Sequence, residues 1–431
     1  MSINFYNPVI KKFMTEGFFG IEKESLRVNE TGYLSGTKHP FENNPNIDRD
    51  FCENQVEIVT DVYGSTDELY AHLTDIHNTL IEKLAKLETG RELLWLFSSP
   101  PYIKSEDEIS VASFRGVLKG KEIYRQYLAK KYGRKKMLFS GIHFNFSFGE
   151  NLINACFREH GEASYREYKD SIYLELAKKL TRYSWLIVYL TAASPLMDSS
   201  YFCDGVTGKT VITPYSSVRC SDIGYWNSFT PVLEYKSVSA YIDSVQKYVD
   251  KGLLKSFSEL YYPVRLKSVG ENSPDKLKKS GINHIELRTL DLNPLSPVGI
   301  MKEDIEFLHI LILYLISPED EEFDDDEQIK AVNNVKSAAR YDDGTMIEFG
   351  GKMLSVRSCA LEVLDDIRIF SEKLCLSNAL KNIEYQKDKI LGNKRYAEII
   401  KNKFSNNFIE KGLKLSSDYV KIRNREAASY V

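Results

Sequence analysis

The sequence predicts an α+β fold: a largely antiparallel sheet with helices covering one face, followed by a helical C-terminal tail. Three observations predict it. Four segments alternate apolar and polar residues with the period of two that belongs to a strand. Several longer segments repeat their apolar residues at the 3.6-residue period of a helix. Strands and helices also alternate irregularly, without the steady strand–helix–strand rhythm of a doubly wound parallel sheet.

The elements follow in order. Ile21-Glu22-Lys23-Glu24-Ser25-Leu26-Arg27-Val28 starts as a strand, and its spacing places Glu22 and Glu24 on one face. Residues 50–59 form a second strand pattern, with Glu57 between Val56 and Ile58. Ser65-Thr66-Asp67-Glu68 reads as a capping box opening a helix, with Leu69, Leu73, Ile76, Leu80, Leu84 and Leu87 on one side. Residues 121–132 form a second helix. Residues 141–148 are a two-faced strand, with Ile142, Phe144, Phe146 and Phe148 opposite His143, Asn145 and Ser147. A long helix covers 164–193, stopped by Ser194-Pro195, and another covers 238–251, closed by Gly252. Residues 284–290 repeat the strand pattern, with His284, Glu286 and Arg288 on one face. A helix over 302–316 stops at Ser317-Pro318. The acidic run 318–327 lacks the spacing of a calcium loop and reads as a solvated linker. Beyond it, Val356, Ala360, Val363, Ile367, Phe370 and Leu374 repeat at helical spacing, as in a helix docked on a core. The expected division is a catalytic core over residues 1–317 and an acidic linker with a helical segment over 318–431.

Composition narrows the function. The chain has 431 residues, a net charge of −4, 43% hydrophobic and 27% charged residues, as in an ordinary water-soluble domain. No global basic field points to nucleic acid or an anionic membrane, and the basic cluster at residues 130–136 reads as a solvated turn. The most apolar stretch, residues 185–193, falls well short of the ~20 residues that cross a bilayer. The N-terminus has no basic region followed by an apolar run, so no secretory leader is expected. The six cysteines (Cys52, Cys156, Cys203, Cys220, Cys359, Cys375) form no Cys-x-x-Cys pair, which predicts reduced thiols and a cytoplasmic location.

The polar strand faces carry the chemistry. Two carboxylates side by side repel unless a cation binds them. For Glu22 and Glu24 alone, an exposed strand with solvated glutamates is the plainer account. Four strands presenting acids, histidine and arginine together point to a polar site lined by a sheet. Neither a phosphate-binding P-loop nor a dinucleotide fingerprint occurs, so a bound nucleotide would need metal ions and Arg or Lys side chains for its phosphates.

These segments also carry a resemblance. Residues 20–28, Asp50-Phe51 with Glu57, Tyr124-Arg125, Gly141–Ser147, Arg219–Tyr225 and Glu286–Pro294 resemble, in order, the motifs of bacterial glutamate–cysteine ligase (γ-glutamylcysteine synthetase). The likeness spans roughly residues 17–300. It is greatest to the ligase half of the fused enzymes that make glutathione, and it is poor over residues 105–121 and beyond Pro318.

The resemblance implies a funnel-like sheet of the glutamine synthetase type. It implies ATP-dependent ligation of the γ-carboxylate of L-glutamate to the amine of L-cysteine through γ-glutamyl phosphate, the first step of glutathione biosynthesis. It implies two or three Mg²⁺ ions on Glu22, Glu24, Asp50, Glu57, His143 and Glu286, with Mn²⁺ competing at the histidine. Arg288 and Glu286 would act at the phosphate, while Arg219 and Asn145 would bind substrate. Phe51, Tyr124, Tyr225 and Tyr261 would shape the cysteine pocket. Each has a plainer alternative: a capping Asp50, a hydrogen-bonded structural His143, an internal Arg288 ion pair, or core packing for the aromatics. A related ligase with another amine acceptor and a non-catalytic relative also stay open. With no ATP-grasp segment in the sequence, a separate glutathione synthetase would act downstream.

Overall fold

The computed structural model describes residues 2–161, 164–270, 273–317 and 322–429, with side chains up to residue 422. Seven strands form one antiparallel sheet: β1 (Gly17–Asn29), β2 (Ile47–Arg49), β3 (Gln55–Val59), β4 (Glu92–Trp95), β5 (Gly141–Phe148), β6 (Val264–Lys267) and β7 (His284–Asp291). Their order is β2-β3-β1-β5-β7-β6, and β4 pairs with the far half of β1. The register places Glu22 opposite His143, Glu24 opposite Glu57, Asn145 opposite Glu286, and Arg265 opposite Glu286. Because side chains alternate along each strand, this pairing gathers Glu22, Glu24, Glu57, His143, Asn145, Arg265 and Glu286 on one face.

The other face is the core. Phe19, Ile21, Phe144, Phe146, Ile285 and Leu287 are buried there. Helices α1 (Thr66–Leu84), α2 (Lys119–Tyr132), α3 (Tyr165–Thr191), α4 (Val238–Asp250) and α5 (Lys302–Ile316) follow the predicted periodicities to within a few residues. Of these, α1, α3 and α5 back the core face. His77 of α1 meets Lys23, Tyr173 of α3 packs on Phe148, and His309 of α5 stands edge-on to Phe19. Ser65, Ser164 and Ser237 cap α1, α3 and α4 through backbone N–H groups of the first turn. Helix α2 lies instead at the rim of the polar face, where its Arg125 reaches Asp50.

Two sequence expectations change, and one buried charge joins the core. The strand expected over residues 50–59 begins only at Gln55, because the Cys52–Gln55 turn closes on a backbone bond from the Gln55 N–H to the Cys52 carbonyl of 3.0 Å. Lys23 alternates onto the apolar face and is fully buried, its Nζ 2.9 Å from His77 Nδ1, and burial lowers its amine to about 7. The acidic run is not wholly a linker: Asp324 caps helix α6 (Asp325–Ala338) by accepting from the Glu327 N–H, and the acids of the first turn suit the helix dipole. Residues 318–321 of that run, Glu319 among them, lie outside the described residues.

The tail helices α7 (Val356–Lys373), α8 (Ser377–Leu391) and α9 (Phe408–Ser429) dock on the core. A buried carboxylate, Asp304 of α5, accepts from Gln386 Nε2 (3.1 Å), Lys389 Nζ (3.2 Å) and Tyr396 Oη (2.8 Å). Phe408 of α9 stands edge-on to Trp95, with ring centres 5.5 Å apart. No helix among the described residues is long and apolar enough to cross a membrane.

Candidate active site

The polar face of β1, β5 and β7 converges on His143. Its Nδ1 lies 3.1 Å from Glu22 Oε2 and 3.6 Å from Glu286 Oε1, and its Nε2 lies 3.6 Å from Glu24 Oε1. Asn145 donates to Glu22 Oε1 at 3.1 Å. Ligand atoms of Glu22, His143 and Glu286 all lie within 4.8 Å of one another. Beyond Glu24, β3 adds Glu57, and the turn before it adds Asp50, held by Arg125 at 3.5 Å. The five acids and the histidine that the sequence singled out therefore gather at one face, with Glu22, His143 and Glu286 tightly grouped.

Electrostatics separates these acids into two sets. Burial raises Glu24 to about 8, with Asp50 adding repulsion. Burial raises Glu57 well above the ordinary carboxylate range, and Asp50, Glu22 and Glu24 add to it. Glu286 goes the opposite way. Burial opposes its charge, but Arg288, Lys267 and His143 hold it well below the usual range. For Glu22, burial and Glu286 push upward, yet the His143 hydrogen bond and charge leave it lowered. Burial and the Arg288 charge lower His143, leaving a neutral imidazole near pH 7.

This donor set fits a divalent cation. Hard carboxylate oxygens and a neutral imidazole nitrogen converge, and His143 Nε2 is buried without a hydrogen-bond partner. Glu22, His143 and Glu286 would hold an ion with the fewest adjustments. Glu24, Glu57 and Asp50 would serve a neighbouring one, whose charge would displace their protons.

Beside the acids stand the arginines and aromatics. Arg288 Nη1 lies 3.1 Å from Glu286 Oε2. Arg219, only 6% exposed, donates to the Arg288 carbonyl at 2.8 Å and lies flat against Gly141. A Cβ on residue 141 would strike that guanidinium, so the close approach requires glycine there. Tyr225 and Tyr261 pack with ring centres 4.2 Å apart. With Arg219, Trp226 and Arg288 they line a cavity of about 30 Å³, room for a water or two. Burial raises the Tyr124 phenol, on α2, to about 12, while the nearby Arg265 charge pulls it down. Phe51 is 2% exposed and packs in the core below the turn.

Sequence reasoning missed strand β6. Arg265 and Lys267 stand on the polar face, 4.0 Å and 3.2 Å from Glu286 oxygens. The signal was present, since Val264 and Leu266 alternate with these two cations, but over only four residues. Asp48 was missed for the same reason: its three-residue strand sets it opposite Glu57.

Comparison with known proteins gives a consistent result. The model of the glutamate–cysteine ligase family matches residues 4–253 and 230–338. The glutathione biosynthesis bifunctional protein GshAB of Listeria innocua is 36% identical over 346 residues, covering 77% of this chain and 44% of that protein. The glutamate–cysteine ligase of Clostridium acetobutylicum is 32% identical over 422 residues, covering 85% of this chain and 86% of that protein. A crystal structure of a bifunctional glutathione synthetase from Pasteurella multocida superposes with a TM-score of 0.82 at 27% identity, over 97% of this chain and 54% of that one. A Francisella tularensis glutamate–cysteine ligase solved with AMP shares the fold, with a TM-score of 0.82 at 24% identity, over 95% of this chain and 89% of that one. The chain thus spans about half the length of the bifunctional relatives it matches.

Proposed function

Because this chain belongs to the glutamate–cysteine ligase family, we propose that it joins the γ-carboxylate of L-glutamate to the amine of L-cysteine at the expense of ATP. The product is γ-glutamylcysteine, the first intermediate of glutathione biosynthesis. The observation that supports this best is the junction of two environments on one sheet face. The Glu22–His143–Glu286 cluster adjoins Arg288, and Arg288 in turn lines the cavity walled by Tyr225 and Tyr261.

Phosphoryl transfer needs alignment and charge neutralisation more than a protein nucleophile. Mg²⁺ on these carboxylates would neutralise phosphate charge and hold the phosphates in line. The chain supplies the rest. Arg288, anchored on Glu286, presents a permanent positive charge where a γ-glutamyl phosphate would form. Arg219, fixed by backbone carbonyls and Gly141, offers its remaining edge to a substrate carboxylate. Asn145 positions Glu22 and reaches substrate from the adjoining strand. Tyr124, Tyr225 and Tyr261 form an aromatic wall suited to a small thiol side chain, with Phe51 packing beneath it. The metal set on Glu22, Glu24, Asp50, Glu57, His143 and Glu286, two or three ions in number, belongs to this proposal. So does the division into a catalytic core (1–317) and a supporting segment (318–431).

The test is ADP release by purified protein with ATP, Mg²⁺ and glutamate against a panel of amines. Release that rises with cysteine, with γ-glutamylcysteine seen by mass spectrometry, is the expected outcome. Equal release with and without cysteine, and no dipeptide, overturns the proposal.

A further inference from the structure

Strand β6 delivers a cation that the proposed reaction does not yet use. The register pairs Arg265 with Glu286 and Lys267 with His284, so both cations stand on the polar face. Arg265 is already committed, its Nε donating to the Leu260 carbonyl at 2.7 Å and a terminal nitrogen to the Ser258 carbonyl at 2.8 Å. It holds in place the loop that leads into Tyr261. Lys267 has no such anchor. Its Nζ lies 3.2 Å from Glu286 Oε1, and that same oxygen faces His143 Nδ1 at 3.6 Å. The two arginines approach the other oxygen, Oε2.

Oε1 is therefore the oxygen that the Glu22–His143–Glu286 cluster would offer a metal, and an ammonium group sits on it. Two cations cannot share one carboxylate oxygen without strong repulsion. A lysine carries its charge on a flexible four-carbon stem, so it can yield the position and still stay in the site. The Lys267 side chain is 18% exposed, at the open edge of the sheet. The chain has no P-loop, so nucleotide phosphate must be gripped by side chains such as this one.

We infer that Lys267 is an exchangeable counter-ion. It neutralises Glu286 before a divalent cation arrives, is displaced from Oε1 by that cation, and then binds a phosphate oxygen of the incoming nucleotide. This rests on the ATP-dependent reading given above. Loss of the charge therefore acts in opposite directions on two ligands, which a merely structural role would not do.

The experiment measures binding, without turnover, on the full chain: wild type, Lys267→Gln and Lys267→Arg. Mn²⁺ alone is titrated first by electron paramagnetic resonance. A non-hydrolysable ATP analogue is then titrated with Mg²⁺ present by calorimetry. Lys267→Gln should bind Mn²⁺ about 5-fold tighter and the analogue about 10-fold weaker, for the loss of a repelling charge and of a charge-assisted phosphate contact respectively. Lys267→Arg keeps the charge, checks that the site remains folded, and should hold both affinities nearer wild type. Unchanged or weaker Mn²⁺ binding in Lys267→Gln overturns the inference, as does unchanged nucleotide binding. If the wild type binds neither Mn²⁺ nor the analogue, the ligase reading fails and the inference falls with it. If the wild type binds both and Lys267→Gln matches it, only the inference falls.

Discussion

Glu24→Gln separates what the acid cluster costs the fold from what it gives the reaction. Burial raises the Glu24 carboxyl from 4.5 to about 8. A carboxyl raised in the folded state contributes stability that is complete below its unfolded value and is lost as pH rises through the folded value. Between pH 4.5 and 7 that loss spans about 2.5 units, or about 3 kcal/mol, and it approaches about 5 kcal/mol above pH 8. Glutamine keeps an oxygen for the Gly141 N–H that Glu24 accepts at 3.0 Å, but cannot ionise. Metal-free Glu24→Gln should therefore melt above metal-free wild type at pH 8, by roughly 5 °C. The gap should close toward pH 5. Mg²⁺ should reverse the order, because only the wild type gains a ligand. The assay is calorimetric melting of both proteins from pH 5 to 8, in chelator and in Mg²⁺. The difference between proteins cancels the titration of groups remote from Glu24, while Glu57, which Glu24 helps to raise, shifts in the same sense and adds to the gap. A metal-free gap that stays flat with pH, or a variant less stable than wild type at pH 8, would refute the reasoning.

Glu22→Gln and Glu57→Gln should each fold, lose the Mg²⁺-dependent rise in melting temperature, and turn over about 10²-fold more slowly, about 2.7 kcal/mol of transition-state stabilisation; wild-type rates in both would remove the metal site. Glu286→Gln should differ by destabilising the protein by about 3 kcal/mol, since it strands the cations gathered on a buried carboxylate; denaturant titration at pH 7 checks this. Because Glu286 is held below its ordinary value, its contribution is present above about pH 4.5 and fades as pH falls. Tyr225→Ala should raise the KM for cysteine by about 10-fold while leaving that for ATP near wild type, as steady-state kinetics would show; equal effects on both would place Tyr225 outside the amine pocket.

Much of the sheet and site was legible because side-chain alternation is local. His143 and Glu286 each sat between apolar residues that had to face a core, and Glu22 sat beside Ile21, so the face each takes on its own strand followed from spacing. What spacing lacks is the partner across the chain. Lys23 obeys the alternation, yet its burial depends on His77, 54 positions away. Strands β2 and β6 are too short to establish a period, so Asp48, Arg265 and Lys267 escaped notice. The acidic run was read by composition, whereas Asp324 and Glu327 stand at cap spacing and begin a helix. The fit of Arg219 against Gly141 joins two segments whose contact no local pattern encodes.

The bonds at Asp304 have a consequence for recombination within the family. One carboxylate, out of water, is satisfied by Gln386, Lys389 and Tyr396, side chains that lie 82 to 92 positions further along. These four positions must be exchanged together. A chimera that joins α5 of this chain to C-terminal helices without those donors would strand a buried acid. The seam between interchangeable parts therefore does not run along the acidic stretch after residue 317, where the sequence looks easiest to cut. It has to follow the Asp304 network instead, which fastens α5 to the tail through three side chains.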